Sequence, residues 1–159
     1  MSTDDVNKAL NRAYFFLKFR PRSEKEMSDY LNKKSERYRW QQETVNQTIV
    51  HLKDIKLLDD DEFIRWFVDQ RSRHRQKSRY VLSQELLRYG VPIELIDNYF
   101  ASHEINEEEL AEEALRKRWS KFEALPSKDQ FTKASQFLAR RGFSFETAKK
   151  TIAKIRGRE

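Results

Sequence analysis

The densest group of chemically active side chains in this 159-residue chain is a run of five bases within nine positions. Arg71, Arg73, Arg75, Lys77 and Arg79 occur there with no acidic residue among them. Guanidinium and ammonium groups bind phosphates and carboxylates, so the run predicts contact with nucleic acid or with an acidic protein surface. The alternative interpretation is a solvated turn between two helices, whose positive charges favour the end of the preceding helix.

Further bases extend this candidate surface. Arg65 and Arg88 flank the run. A second basic group near the end of the chain consists of Arg140, Arg141, Lys149 and Lys150, followed by Arg156 and Arg158. The residues predicted to bind a partner or DNA are Arg65, Arg71, Arg73, Arg75, Lys77, Arg79, Arg88, Arg140, Arg141, Lys149 and Lys150. The formal net charge of +6 suits an acidic partner but does not identify one.

Few residues could support catalysis. The chain has no cysteine, which excludes a thiol nucleophile, a disulfide scaffold and thiolate metal sites. No two of His51, His74 and His103 are three or four residues apart, so no helical pair of histidine ligands is predicted. Nucleophile elbows and Walker loops are absent. We predict a binding protein, not an enzyme, with no catalytic residues, no cofactor and no metal.

The apolar residues recur at helical spacing almost throughout, and no stretch alternates long enough to suggest a strand. This pattern predicts an all-α protein of about nine helices. Acidic runs at 59–62 and 107–109 precede apolar helical segments. They could bind magnesium, but neighbouring acids at a helix start diverge in direction, so complementing the helix dipole is the favoured interpretation.

Several residues predict where helices begin and end. Ser23 with Glu26 has the spacing of a capping box, and Asn106 with Glu109 and Ser127 with Gln130 have similar spacing. Ser78 and Ser144 are further predicted N-caps. Gly90 and Gly142 are predicted in the left-handed conformation that ends many helices.

The chain also repeats itself. Residues 83–90 (SQELLRYG) match residues 135–142 (SQFLARRG) at an offset of 52, and a weaker copy begins at Ser28. In that copy a polar link at 34–39 is predicted in place of the glycine. We therefore predict an elongated array of three tandem three-helix repeats at 1–58, 59–104 and 105–159. Such arrays usually bind macromolecules along an extended face.

The aromatic residues are open to two interpretations. Trp40 in the predicted link, Trp66 and Trp119 could stack on bases, but packing between helices is favoured. The apolar run at 14–17 could be buried against the next repeat or form an exposed patch for a protein partner. No apolar run approaches a membrane span, and the polar, acidic N-terminus is unlike a secretory signal. A cytoplasmic monomer without membrane contact is expected.

The stretch LLDDDEFIRWFVDQR at 57–71, followed by LLRYGV at 86–91, resembles the signature of the RecX family of bacterial recombination regulators. Residues 13–27 resemble that family's first-repeat segment, and residues 137–143 resemble its third. The resemblance extends from about residue 8 to residue 156. It departs at residues 76–78, where many relatives have a glycine-containing turn, and at the link 34–39.

The resemblance implies three tandem three-helix repeats and binding to the RecA recombinase filament on single-stranded DNA. It implies inhibition of filament extension, ATP hydrolysis and strand exchange, and so negative regulation of homologous recombination, DNA repair and the SOS response. The residues alone leave an alternative open: a helical-repeat protein that binds single-stranded or duplex DNA phosphates directly and acts without RecA.

Overall fold

The computed structural model describes residues 3–157, and within this range the chain is helical with no strand. Nine α-helices are present there, together with a short 3₁₀ helix at Trp119–Lys121. The α-helices are α1 (Thr3–Leu17), α2 (Glu24–Tyr38), α3 (Gln42–Asp54), α4 (Asp60–Arg73), α5 (Arg79–Arg88), α6 (Ile93–Ser102), α7 (Glu107–Arg118), α8 (Ser127–Arg140) and α9 (Phe145–Gly157). The prediction of an all-α fold with nine helices is confirmed.

Contacts group the described residues into two compact units. The first unit contains the residues up to Trp66 together with Leu86–Tyr99. The second contains Phe67–Glu85 together with the residues from Phe100 onward. The helices α4, α5 and α6 therefore contribute residues to both units.

In the first unit, α3 packs against both α1 and α2. Ala9 and Ala13, one turn apart on α1, are fully buried, and their small side chains allow a close approach. The core of this unit contains Ala9, Ala13, Met27, Leu31, Trp40, Val45, Leu52 and Leu58. Trp40 packs in this core as the sequence predicted.

In the second unit, α9 packs against α7 and α8. The repeating apolar positions of these helices meet in one core. It contains Ala111, Ala114, Leu115, Trp119, Ala134, Phe137, Leu138, Phe143, Ala148, Ile152 and Ile155. Trp119 is therefore a packing residue as well.

The helix ends confirm most of the predicted caps. Ser23 and Glu26 form a reciprocal capping box on α2. The Asn106 side chain accepts a hydrogen bond from the Glu109 N–H, and Ser78 and Ser144 accept bonds from backbone N–H groups three residues on. Gly90 and Gly142 have φ of +80° and +90°, the left-handed conformation predicted for them.

Two local predictions are wrong. Ser127 is not an N-cap, because α8 begins with this residue after Pro126 and no side-chain cap bond forms. The predicted link at 34–39 is mostly helix, because α2 continues to Tyr38. Residues 33–38 contain no glycine or proline to stop the helix, which instead ends at Arg39 in the left-handed conformation with φ of 57°.

The same contact joins successive repeats in each unit. In the first unit, the Ser23 hydroxyl donates to the Tyr89 carbonyl at 2.6 Å, and a Cβ on Gly90 would overlap the Lys25 side chain. In the second, the Ser78 N–H donates to the Arg141 carbonyl at 3.0 Å, and a Cβ on Gly142 would overlap Ser78 and Val81. In each unit, an N-cap serine of one repeat thus donates a hydrogen bond to a carbonyl at the glycine-terminated helix end of the next repeat.

Candidate functional site

The five-base run spans a helix end, a link and a helix start. Arg71 and Arg73 lie in the last turn of α4, Arg75 and Lys77 in the link 74–78, and Arg79 begins α5. All five belong to the second unit. Their side chains do not share one direction, because several of them bind neighbours within the unit.

Glu85 on α5 neutralises two of the five bases. Its carboxylate pairs with Arg71 at 3.1 Å (Nε to Oε2) and with the Lys77 ammonium. Burial alone would raise the pKa of Glu85, but hydrogen bonds from Lys77 and Arg71 outweigh it and hold that pKa below its usual range. Arg71 also lies over the Phe67 ring, with Cζ 4.7 Å from the centroid. Arg71 therefore connects the end of α4 to α5, and Lys77 connects the link 74–78 to the same helix.

Replacing Glu85 with Gln is expected to lower the free energy of unfolding at pH 7 by about 2 kcal/mol, because two partly buried cations lose their counter-charge. The folded-state pKa of Glu85 is depressed, so its contribution is present above the unfolded pKa and lost as the pH falls through the folded one. Urea unfolding of both proteins from pH 7 into the acid range should show the difference shrinking. Glu123→Gln, at an exposed position without an ion pair in residues 3–157, is the matched control.

Arg73 and Arg79 also have internal contacts. Arg73 pairs with Asp69 at 3.2 Å, one helical turn back, and its carbonyl accepts a hydrogen bond from Lys117 of α7 at 3.0 Å. The Arg79 N–H donates to Glu107 at 2.8 Å, and its guanidinium lies 5.2 Å from the Phe100 ring centroid. Arg75 is the one member of the run whose side chain has no ion pair, hydrogen bond or ring contact among the described residues.

The end of α8 brings a second group of bases to the same link. Arg141 donates from Nη1 to the Gln76 carbonyl at 3.2 Å, while its own carbonyl accepts from the Ser78 N–H. The Arg141 guanidinium also lies 4.9 Å from the Phe137 ring centroid. These contacts hold the link 74–78 beside the C-terminal end of α8, so residues far apart in sequence become neighbours.

The charge of Arg141 interacts here with the charges of three further arginines, and we call the four the arginine cluster: Arg75, Arg118, Arg140 and Arg141. Partial burial lowers the pKa of Arg141, and repulsion from Arg118, Arg75 and Arg140 lowers it further. Arg118, from the last turn of α7, shares the Phe137 ring, with Cζ 5.5 Å from its centroid. None of the four forms an ion pair with any carboxylate in residues 3–157.

Four neighbouring guanidiniums without a counter-charge favour an anionic ligand. Arg75, Arg118 and Arg140 are exposed, whereas Arg141 is half-buried and fixed by the link. Guanidinium groups bind phosphate and carboxylate oxygens with two parallel hydrogen bonds. The arginine cluster can therefore bind phosphates of a nucleic acid or carboxylates of a partner protein.

The other predicted residues are not members of the cluster. Arg65 and Arg88 are exposed residues of the first unit, and Arg65 lies 3.9 Å from Glu62. On α9, Lys149 is exposed without an ion pair in the described range, and Lys150 lies 3.6 Å from both Glu108 and Glu146. Arg156 is bound to Gln130 and to the Ser127 carbonyl. Arg158 lies outside the described residues.

Arg118 is the cluster residue that the sequence prediction missed. The available signal was the run Arg116-Lys117-Arg118, which lies at the end of α7. That run reads equally well as charge complementing the helix C-terminus, as the structure shows for bases in that turn. Its nearness to Arg141 depends on the packing of α7 with α8.

Among residues 3–157, no three histidine or acidic side chains come together in a group that could hold a metal ion. Asp60, Asp61 and Glu62 lie in the first turn of α4, the position that complements the helix dipole, and Asp59 accepts hydrogen bonds from the Asp61 and Glu62 N–H groups. No helix in the same range has the length and apolar character needed to cross a bilayer.

Three family models match the chain in order. They are described as RecX, first three-helix domain, at residues 9–52; RecX, second three-helix domain, at 59–99; and RecX, third three-helix domain, at 106–152. Together they match well over half of the sequence. The chain belongs to the RecX family. The resemblance seen in the sequence is thereby confirmed, as is its implication of three three-helix domains in tandem.

Curated relatives agree with the assignment to RecX. Regulatory protein RecX of Geobacillus sp. (strain WCH70) is 31% identical over 151 residues, covering 94% of this chain and 54% of that protein. Regulatory protein RecX of Bacillus licheniformis is 33% identical over 144 residues, covering 90% of this chain and 53% of that protein. This RecX-family chain thus spans about half the length of the curated relatives it matches.

Solved structures show the same fold. The crystal structure of RecX from Lactobacillus salivarius has a TM-score of 0.76 at 19% identity, covering 96% of this chain and 97% of that one. A second crystal structure, of a regulatory protein RecX, has a TM-score of 0.70 at 22% identity, covering 92% and 70%. At these identities the RecX structures support the helical architecture and nothing finer.

Proposed function

We propose that this chain is a negative regulator of homologous recombination and DNA repair that binds the RecA filament on single-stranded DNA. It inhibits the filament's ATPase activity, extension and strand exchange, and it acts by binding and not by catalysis. The observation that carries this proposal is membership of the RecX family over all three three-helix domains. The curated relatives are named regulatory proteins.

The arginine cluster supplies the contact surface of this proposal. Arg75, Arg118, Arg140 and Arg141 have no carboxylate partner in the described range, so an acidic surface or a DNA phosphate would neutralise them. Arg65, Arg88, Lys149 and Lys150 would add weaker contacts. Several weak contacts on one filament add through effective concentration, so no single one needs to be tight.

The repeats and the setting are proposed on the same basis. We assign the repeats to residues 1–58, 59–104 and 105–159, because the matched segments 9–52, 59–99 and 106–152 lie inside these ranges. The chain acts as a monomer in the cytoplasm, where the recombinase filament forms.

The test is a RecA ATPase assay on single-stranded DNA, titrated with the full chain beside a binding curve for the same DNA alone. We expect inhibition at concentrations well below those that coat bare DNA. Inhibition that begins only when the DNA is coated would support the rival function, a DNA-binding protein acting without RecA. The affinity of such a protein for DNA would fall steeply as the salt concentration rises.

A further inference from the structure

The end of α2 in the first unit carries a second group of unpaired bases, built around an aromatic ring. Arg37, Tyr38, Arg39 and Trp40 follow one another there. The Tyr38 ring stacks on the buried Trp40, with centroids 5.3 Å apart and planes at 22°. Tyr38 itself remains 36% exposed. Trp40 thus fixes one aromatic ring at the surface.

Two arginines lie close to this ring, and a third follows Tyr38 in the sequence. Arg12 of α1 donates to the Tyr38 hydroxyl at 2.5 Å, and its Cζ lies 5.2 Å from the ring centroid. Arg37 Cζ lies 5.6 Å from the same centroid, and Arg39 is exposed beside it. None of the three forms an ion pair with a carboxylate in the described part of the chain. We call Arg12, Arg37, Tyr38 and Arg39 the Tyr38 site.

Comparison of the repeats shows why this helix end is available. Arg39, Gly90 and Gly142 each adopt the left-handed conformation after helices α2, α5 and α8. At Gly90 and Gly142 there is no room for a Cβ, because the N-terminal part of another helix packs there. The corresponding position of the first repeat is Arg39, which is exposed although the left-handed conformation disfavours residues with a side chain. This end is therefore occupied by cationic and aromatic groups in place of a repeat contact.

We propose that the Tyr38 site binds an unpaired nucleotide of a single-stranded nucleic acid. The base stacks on the Tyr38 ring and the adjoining guanidinium planes, and the flanking phosphates bind Arg37 and Arg39. An exposed ring with a cationic border is the combination that single-strand binding uses, and it tolerates any base. Bases in a duplex are already stacked, so duplex DNA engages only the charges.

The Tyr38 site would give the chain a contact with the single-stranded DNA through its first unit. The proposed function relies on the arginine cluster of the second unit. Its test needs no recombinase, so either proposal can fail without the other. The probes are a fluorescein-labelled oligothymidylate of about 12 nucleotides, an abasic strand of the same length and a blunt duplex, with binding followed by anisotropy.

Tyr38→Ala is expected to weaken oligothymidylate binding about tenfold, the effect of losing one stacked base, and to leave abasic-strand binding unchanged. Tyr38→Phe keeps the ring and should bind within about twofold of the native chain. Tyr80→Ala, which removes a 69% exposed tyrosine on α5, is the matched control and should have no effect. Equal losses for the two strands, or no loss with Tyr38→Ala, would overturn the proposal.

Arg39→Gly tests the charges without endangering the fold, since glycine is the residue favoured in this conformation. Its melting temperature should not fall, and binding of both strands should weaken about threefold. The slope of log K against log salt concentration should become shallower by about 0.7, the value for one lost phosphate contact on a single strand. Unchanged binding of both strands would contradict the assignment. Polyglutamate that competes as well as the oligothymidylate would show a general anion surface and would also overturn it.

Discussion

A variant in which Arg75, Arg118 and Arg140 are all replaced by Glu is expected to need about a hundredfold more protein for half-maximal inhibition of the RecA ATPase. Each exposed guanidinium that meets a phosphate or carboxylate contributes about 1 kcal/mol, and a total near 3 kcal/mol corresponds to that factor. Arg141 stays in place because it holds the Gln76 carbonyl and lies on Phe137.

The fold should survive this substitution. The three replaced arginines are exposed and repel Arg141, so acidic residues in their place relieve repulsion and do not break an ion pair. Arg71 and Lys77 are left out of the variant, although they belong to the same sequence run, because both neutralise Glu85. Glu in the last turns of α7 and α8 opposes the helix dipoles and offsets this gain, so the melting temperature should stay close to that of the native chain.

Net charge needs its own control. Replacing Lys121, Lys128 and Lys133 with Glu changes the charge of the second unit by the same amount, at exposed positions without ion pairs in residues 3–157. For this control, the concentration needed for half-maximal inhibition is expected to lie within about threefold of that of the native chain. Its charges are changed outside the cluster and act on the partner only through screened long-range electrostatics. Equal losses in both variants would show that general charge and not the arginine cluster is responsible. Full inhibition by the cluster variant would show that the contact lies elsewhere.

Gly142→Ala is expected to lower the free energy of unfolding by about 3 kcal/mol. Its φ of +90° disfavours a side chain. A Cβ there would also overlap Ser78, which is 1% exposed, and the Val81 side chain. Left-handed strain and overpacking each cost about 1–2 kcal/mol, and here both apply. Chemical denaturation followed by circular dichroism measures the loss.

Two further substitutions separate these causes. Gly157→Ala, near the end of α9 with no atom within 4 Å of the added Cβ, should change stability by less than about 0.5 kcal/mol. Val81→Ala in the Gly142→Ala background should recover part of the overlap cost but none of the strain. If Gly142→Ala proves as harmless as Gly157→Ala, the contact between Ser78 and the end of α8 does not hold the repeats as described.

The sequence predicted the fold well because its signals are local. Apolar spacing, the Ser23–Glu26 box and the two left-handed glycines each depend on residues within a turn or two. The failures have local causes too. Ser127 has the spacing of a cap, but Pro126 precedes it and the helix already includes it. Residues 34–38 look polar enough for a link, but polar residues without a breaker continue a helix.

The candidate site could be predicted only in part. The two basic groups were visible in the sequence, but their meeting at Arg75, Arg140 and Arg141 depends on the contact between Ser78 and the end of α8. Glu85 lies outside the basic run, so its neutralisation of Arg71 and Lys77 could not be read from the absence of acids within 71–79. Arg118 and Arg12 join their sites through packing between helices, for which one sequence carries no local signal.

Binding to the assembled filament can be measured directly by co-sedimentation. RecA is assembled on single-stranded DNA with a non-hydrolysable ATP analogue, and co-sedimentation of the chain is compared with that on equal bare DNA and on RecA without DNA. We predict saturable binding to the filament at concentrations where neither single component retains the chain. Equal retention by the filament and by bare DNA would contradict the account and leave a protein that recognises DNA alone.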